Sequence, residues 1–136
     1  MDSGKMVMAY VEALGGMDID FGKSLWHALR GNKKFPVDGA FWLSRSESDA
    51  WHLLVATPRV DEIGRRKAYG ELSKITRRLP LNSGQFLRVE LISPREPLYQ
   101  ALRSVFGKTA SVEGARLGNT QIAGMYINDA YLYEIR

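Results

Sequence analysis

Cysteine is absent from the sequence, and histidine occurs only at His27 and His52. A chain without cysteine forms no disulfide, thiolate nucleophile, zinc finger or iron–sulfur centre. Both histidines stand among apolar neighbours, so a buried or half-buried side chain with satisfied hydrogen bonds explains them better than metal ligation does. We therefore expect no metal site and no cofactor.

Long apolar runs are also absent, and none reaches the roughly 18–20 residues that a membrane-spanning helix needs. The first residues include an acid, Asp2, and the stretch that follows is interrupted by Gly15-Gly16. A secretory signal has a longer apolar region and a cleavage site of small residues. We expect a cytoplasmic protein without membrane contact.

Catalytic motifs are missing too, since neither Gly-x-Gly-x-x-Gly nor Gly-x-Ser-x-Gly occurs. The segment Gly107-Lys108-Thr109 matches the end of a phosphate-binding loop. However, Leu102 occupies the position where that motif needs a glycine, and a helix-terminating glycine explains Gly107 instead. The sequence predicts no catalytic residue, and we lean toward a protein that is not an enzyme.

The order of a helix, a hairpin, a helix and a strand resembles the core of the restriction-endonuclease-like fold. In that family an Asp on the first strand and a Glu-x-Lys on the next position Mg²⁺ and its attacking water. Asp38 matches the first acid, but the second strand reads Leu54-Val55-Ala56-Thr57, and no Glu-x-Lys occurs in the chain. The resemblance implies at most a degenerate relative without an active site.

The composition is that of an ordinary globular protein, with 45% apolar and 25% charged residues in a chain of 136. No linker or internal repeat divides it. We expect a single domain over residues 1–136, with an N-terminal helical part at 1–34 and the remaining elements at 35–136.

Two short helices are predicted in the N-terminal part. Val7, Val11 and Leu14 recur at helical spacing before Gly15-Gly16. Asp20 is the expected cap of the second helix, which Gly31 ends. The members of its apolar stripe are Phe21, Leu25 and Leu29.

A β-hairpin is predicted from the strands 40–43 and 51–56, which flank the turn-forming residues 44–49. In the second strand Trp51, Leu53 and Val55 occupy one face, and Leu54 and Ala56 the other. Since both faces are apolar, we expect a central strand that is covered on both sides.

The remaining elements follow from capping signals and periodicity. Asp61 is the expected cap of a helix that runs to about Leu79. A half-buried strand is predicted at 86–92, with Leu87, Val89 and Leu91 on one face.

Ser93-Pro94-Arg95-Glu96 has the pattern of a capping box and opens a helix that ends at Gly107. The predicted inward residues of that helix are Leu98, Leu102, Val105 and Phe106.

The C-terminal residues 122–135 are strand-like, with a tight turn predicted at Asn128-Asp129. The order of elements becomes αα-ββ-α-β-α-β(β). The predicted fold class is α+β, a compact domain with a mixed or antiparallel sheet of about four or five strands and helices packed on it.

Several segments resemble a set of uncharacterised small bacterial proteins, over about residues 20–136. The similar segments are Phe35-Pro36-Val37, Trp42-Leu43, Trp51-His52-Leu53, Val60-Asp61, Ser93-Pro94, Gly124-Met125-Tyr126-Ile127 and Ala130-Tyr131. The resemblance implies a shared small α+β fold and no particular activity, so it supplies no site residues.

Positive charge is concentrated in residues 59–116, where twelve Lys/Arg against six Asp/Glu give +6, while the rest of the chain carries −2. On the predicted helix from 62 to 79, five cations oppose the apolar stripe at 100° per residue, with Gly70 and Ser73 between them. These candidate nucleic-acid-binding residues are Arg66, Lys67, Lys74, Arg77 and Arg78. Such a face suits a phosphate backbone of DNA or RNA, although any amphipathic helix has a polar face.

Aromatic residues near the C-terminus suggest a protein interface instead. Tyr126, Tyr131 and Tyr133, with Trp42 and Trp51, would form one if they surfaced together. An edge strand carrying Tyr131 and Tyr133 would also pair with a partner or a second copy. The leading interpretation is a non-catalytic interaction or accessory module that binds a protein or itself. The alternative is a nucleic-acid-binding module that uses the basic helix face.

Overall fold

The computed structural model describes residues 13–46, 48–79, 83–109 and 111–136. The described helices are α1 (Gly16–Arg30), α2 (Arg59–Ile63), α3 (Arg65–Thr76), α4 (Ser83–Phe86) and α5 (Pro97–Phe106). The strands are β1 (Gly39–Ser44), β2 (His52–Ala56), β3 (Val89–Ile92), β4 (Arg116–Ile122) and β5 (Met125–Ile135). The predicted α+β class is confirmed, whereas the helix predicted over Val7 to Leu14 falls almost wholly outside the described residues.

The five strands form one mixed sheet in the order β3-β2-β1-β5-β4. The predicted hairpin is confirmed, because β1 pairs antiparallel with β2 and sets Phe41 opposite Leu54. Among the described strands, β2 and β3 are the one parallel pair, as expected where a helical connection joins two neighbouring strands. The C-terminal strand β5 lies between β1 and β4, so it is not an edge strand.

Helices cover both faces of the sheet. On one face α1 and α3 pack against Trp51, Leu53 and Val55 of the second hairpin strand. On the other face α5 packs against Leu54 and Ala56. The prediction of a central strand covered on both sides is therefore confirmed. No helix within the described residues is long and apolar enough to cross a membrane.

The first helix begins earlier than predicted. It starts at Gly16, and the carboxylate of Asp18 accepts a hydrogen bond from the N–H of Gly15 at 3.2 Å. Asp20, the expected cap, is instead an exposed residue inside the helix. The predicted end is confirmed, since Gly31 is the C-cap.

The helix predicted from Asp61 to Leu79 is divided in two. Gly64 has a φ of +86°, which takes the backbone out of the helical region between α2 and α3. Asp61 is not the cap, because α2 already begins at Arg59. Its carboxylate accepts hydrogen bonds from Ser93 Oγ at 2.8 and 3.0 Å.

Two further boundaries were wrong by a few residues. The third strand starts at Val89 rather than at 86, and Leu87, predicted to point inward, is 87% exposed. The last helix starts at Pro97 with Glu96 as its N-cap. Ser93 Oγ accepts a hydrogen bond from the N–H of Arg95 at 3.0 Å and so shapes the turn before the helix. Of the predicted inward residues in α5, Leu102 is fully buried and Val105 is 52% exposed.

The C-terminal hairpin turns at a different place from the one predicted. Ala123 and Gly124 have φ values of +48° and +81° and connect β4 to β5. Asn128 and Asp129 lie inside β5, because pairing with strands on both sides overrides their turn propensity.

Candidate nucleic-acid interface

Helix α3 presents opposite surfaces to the core and to solvent. Ala68, Leu72 and Thr76 are buried toward the sheet. The five candidate cations all have exposed side chains and lie on the outward surface, three within the helix and two in the turn that continues it: Arg66, Lys67, Lys74, Arg77 and Arg78. We call these five residues the basic face.

The side chains of the basic face form no ion pair with the described acids, unlike those of most of the other arginines. Within the described residues, none of its five side chains forms an ion pair or a side-chain hydrogen bond. Six arginines elsewhere do pair with acids, at 2.7–3.4 Å: Arg45, Arg59, Arg65, Arg88, Arg116 and Arg136. The fold thus neutralises many of its cations but leaves this helix surface positive.

Glu71, at the edge of the basic face, is neutralised from another helix. Arg59 of α2 donates to both of its carboxylate oxygens, from Nε at 2.8 Å and from Nη2 at 2.7 Å. These hydrogen bonds lower the pKa of Glu71 and raise that of Arg59. Lys74 of the basic face lowers the pKa of Glu71 further, but to a smaller extent than Arg59 does, and Glu71 is the only acid in α3.

The pairing of Arg59 with Glu71 was not foreseen from the sequence. The two residues are 12 positions apart, a spacing at which no single helix brings two side chains together. The break at Gly64 folds α2 back onto α3 and makes the contact. The signal that could have shown it is the glycine itself, in the middle of a periodic helical segment.

The tyrosines proposed as an interface do not surface together. Tyr133 is only 2% exposed, and burial raises its pKa. Tyr131 is half-buried and packs edge-on against Tyr133, with 5.4 Å between ring centroids. Tyr126 is exposed and donates a hydrogen bond to Asn119 Oδ1 at 2.8 Å. Trp42 and Trp51 are buried as well.

The edge of the sheet at β3 is covered by a side chain from α3. Tyr69 Oη accepts a hydrogen bond from the N–H of Leu91 at 2.8 Å and lies 3.5 Å from the carbonyl oxygen of Val89. These two backbone groups are on the side of the strand that faces away from β2. A partner strand therefore finds this edge occupied.

The carboxyl ends of β2 and β3 form a second polar region, where parallel sheets often bind ligands. Its side chains bond to neighbours within the chain. Thr57 Oγ1 donates to the carbonyl of Pro36 at 2.5 Å, and Ser93 donates to Asp61. Arg65 pairs with Glu96 at 3.4 Å. These polar groups therefore hold the fold together at this edge.

A cleft of about 390 Å³ lies beside the end of β5. Trp26 Nε1 and Arg136 Nε both donate to the carboxylate of Glu134 at 2.8 Å. Arg30 stacks over the ring of Trp26 at 4.8 Å from its centroid. Glu113, the other acid of the cleft, pairs with Lys23 at 3.1 Å, so these charged groups already have partners within the chain.

The acid that matched the nuclease pattern is Asp38. Burial raises its pKa, and so does the nearby Glu134, despite the attraction of Arg136 and Arg103. Among the described residues no three His, Asp or Glu side chains come close enough to hold a metal ion. The expectation that both histidines are buried or half-buried is wrong for His27, which is exposed and contacts Trp26 edge-on at 5.0 Å, whereas His52 is half-buried.

No protein-family model, curated protein or solved structure matches the chain. The resemblances to small bacterial proteins and to the restriction-endonuclease-like fold stay predictions.

Proposed function

We propose that the protein is a nucleic-acid-binding module that contacts the phosphate backbone through the basic face of α3. The observation that carries the proposal is the grouping on one helix surface of five exposed cations without ion pairs to the described acids, whereas six of the nine other arginines pair with acids. Neutralisation of phosphates by such side chains releases counterions and supplies most of non-specific affinity for nucleic acid.

The length of the basic face along the helix is enough to span several phosphates of a duplex. From Arg66 to Arg77 a helix rises by about 16 Å at 1.5 Å per residue. A duplex carries one negative charge per roughly 1.7 Å of its axis, so several phosphates fall within that length. Glu71 adds little repulsion because Arg59 binds its carboxylate.

The tyrosine surface considered for a protein partner does not support that interpretation. Tyr133 is buried, β5 is internal to the sheet, and Tyr69 covers the β3 edge. The other edge strand, β4, is largely exposed, and a protein partner stays a prediction. If the experiment below shows no binding to nucleic acid, an acidic protein becomes the alternative partner for the basic face.

The test is fluorescence anisotropy with labelled DNA and RNA, single- and double-stranded, at roughly 50 and 200 mM salt. Five phosphate contacts predict a loss of affinity of roughly 10²–10³-fold over that range. The variant Arg77→Gln/Arg78→Gln removes two contacts and should lower the slope of log affinity against log salt by about two.

The matched control is Arg95→Gln/Lys108→Gln, which removes the same charge from exposed positions before and after α5. We expect the control to bind nearly as tightly as the natural protein. The proposal is wrong if the natural protein binds no nucleic acid at the lower salt, or if the two double variants lose affinity equally.

A further inference from the structure

The centre of the basic face is a glycine. Gly70 lies four and three residues after Arg66 and Lys67, and three and four residues before Ser73 and Lys74. On a helix, residues at these spacings are surface neighbours. Gly70 is exposed in the middle of α3, so cationic and hydroxyl side chains surround a patch of bare helix backbone.

Nothing within the described fold requires a glycine at this position. A Cβ atom added to Gly70 meets no atom within 4 Å, and the residue has an ordinary helical φ. Gly22 of α1 is different, because a Cβ atom there would lie 2.7 Å from Trp42 Nε1. A helix-interior glycine destabilises the folded state relative to alanine, so the fold alone would favour a side chain at position 70.

We propose that Gly70 is the point of closest approach between α3 and the sugar-phosphate backbone of a double-stranded nucleic acid. This inference rests on the proposed function. Without a side chain at position 70, a phosphate can approach the helix backbone between Lys67 and Lys74. Ser73 then offers its hydroxyl as a neutral hydrogen-bond donor beside the cations.

A duplex fits better than a single strand because no largely exposed aromatic ring of the described residues lies on the basic face. Tyr69 and Phe86, in a cleft beside Arg77, are both half-buried. Proteins that bind single strands combine positive charge with exposed aromatic side chains on which bases stack. Among the described residues the largely exposed aromatic ring is that of Tyr126, at 53%. It lies on β5, beside Leu98 and Met125, which pack on the sheet face opposite to α3.

An anionic membrane fits less well for a related reason. Helices that lie on membranes insert an apolar face into the lipid while cations contact the headgroups. The apolar side of α3, with Ala68 and Leu72, is buried against the sheet. The surface of α3 that carries the cations therefore presents no apolar side chain to insert.

The experiment compares Gly70→Gln and Gly70→Ala with the natural protein. Both substitutions leave the charge unchanged and supply better helix formers, so the melting temperature should rise by roughly 2–6 °C. Gly70→Gln should nevertheless weaken binding to a 20-base-pair duplex by at least about tenfold, and Gly70→Ala by less. Gly16→Gln is the control, since Gly16 is also an exposed helical glycine with open space around it.

The results that would contradict these proposals differ according to which part is wrong. If the natural protein binds no nucleic acid at about 50 mM salt, the proposed function itself fails. If it binds the duplex and Gly70→Gln binds equally well, the close approach at Gly70 is wrong. Tighter binding to single strands, or binding only to vesicles of acidic phospholipid, overturns the assignment of a duplex. A melting temperature that falls in Gly70→Ala would show that the fold needs this glycine.

Discussion

The hydroxyl of Tyr133 accepts a hydrogen bond from the indole N–H of Trp42 at 3.1 Å and donates one to the carbonyl of Ile19 at 2.7 Å. It thus joins β1, β5 and α1 at one buried point. The β1–β5 pairing shifts register between Ala40 and Phe41, which leaves Tyr133 as the extra residue of β5. Such a bulge re-aims neighbouring side chains, and here Tyr133 contacts the first helix.

Tyr133→Phe should destabilise the protein by about 1–3 kcal/mol, because it leaves a buried indole N–H without an acceptor. Urea unfolding measures the change. Tyr126→Phe is the control, since Tyr126 is 53% exposed, and it should change the free energy of unfolding by less than about 0.5 kcal/mol. Equal stability of the two variants would contradict the role assigned to the Tyr133 hydroxyl.

Gly22→Ala should also destabilise, although alanine is the better helix former. Its Cβ would lie 2.7 Å from Trp42 Nε1 and would also crowd Tyr133. Overpacking of this kind costs roughly 1–3 kcal/mol. Chemical denaturation of Gly22→Ala beside Ser24→Ala, an exposed position on the same helix, isolates the effect. A Gly22→Ala protein as stable as the Ser24→Ala protein would show that the helix moves to admit the methyl group.

Tyr69→Phe should uncover the β3 edge. The Leu91 N–H would lose the hydroxyl that now accepts its hydrogen bond at 2.8 Å. We expect a stability loss of about 0.5–1.5 kcal/mol and faster hydrogen exchange at the Leu91 amide. The measurement is amide exchange by NMR, with Leu54 of the central strand β2 as the internal reference. Unchanged exchange at Leu91 would mean that the ring alone protects this edge.

Asp38→Asn should stabilise the protein at pH 7. Burial raises the pKa of Asp38 above the ordinary value of 3.8, against the opposing influence of Arg136 and Arg103. The folded state therefore holds this proton more tightly than the unfolded state, and the natural protein loses stability as pH rises from 3.8 through the folded pKa. The variant lacks a titrating carboxyl and escapes this loss.

Melting temperatures of both proteins between about pH 3 and pH 8 test the sign of this linkage. The difference in favour of Asp38→Asn should be absent at the acidic end and full at neutral pH. A variant that is less stable than the natural protein at pH 7 would show that the arginines stabilise the ionised carboxylate more than burial disfavours it.

Arg59→Gln should weaken nucleic-acid binding although Arg59 is outside the basic face. The substitution removes the guanidinium that neutralises the carboxylate of Glu71 and leaves this negative charge beside Lys74 without its main counterion. We expect a loss of roughly twofold to fivefold at low salt. The double variant Arg59→Gln/Glu71→Gln should recover the lost affinity. Failure of the double variant to recover would assign Arg59 a direct contact with the ligand.

Strand alternation in β2 and helical spacing in α3 correctly predicted which way the side chains of these elements point. The apolar alternation from Trp51 to Ala56 assigned each side chain to the correct face of the sheet, since alternate residues of a strand point to opposite sides. The spacing of Arg66, Lys74 and Arg77 predicted exposure on one helix surface, because Leu72 and its neighbours must face the core.

Local sequence signals were wrong where contacts with residues distant in sequence override the local preference. Asp61 and Ser93 each have the residue type of a helix cap, yet they hydrogen-bond to each other across 32 positions. Asn128 and Asp129 favour a turn, but they lie in a strand that is paired on both sides. Leu87 was placed in a strand that begins two residues later, at Val89.

The sequence by itself determined the class of the fold, the central hairpin and the positive surface of α3, because these follow from composition and from the periods of strand and helix. Only the tertiary structure decided that β5 is internal, that Tyr133 is buried and that Arg59 neutralises Glu71. It also decided that the cations of the basic face form no ion pair with the described acids and that Gly70 has empty space around it. These properties depend on strand order and on contacts between residues far apart in the chain, which no local pattern encodes.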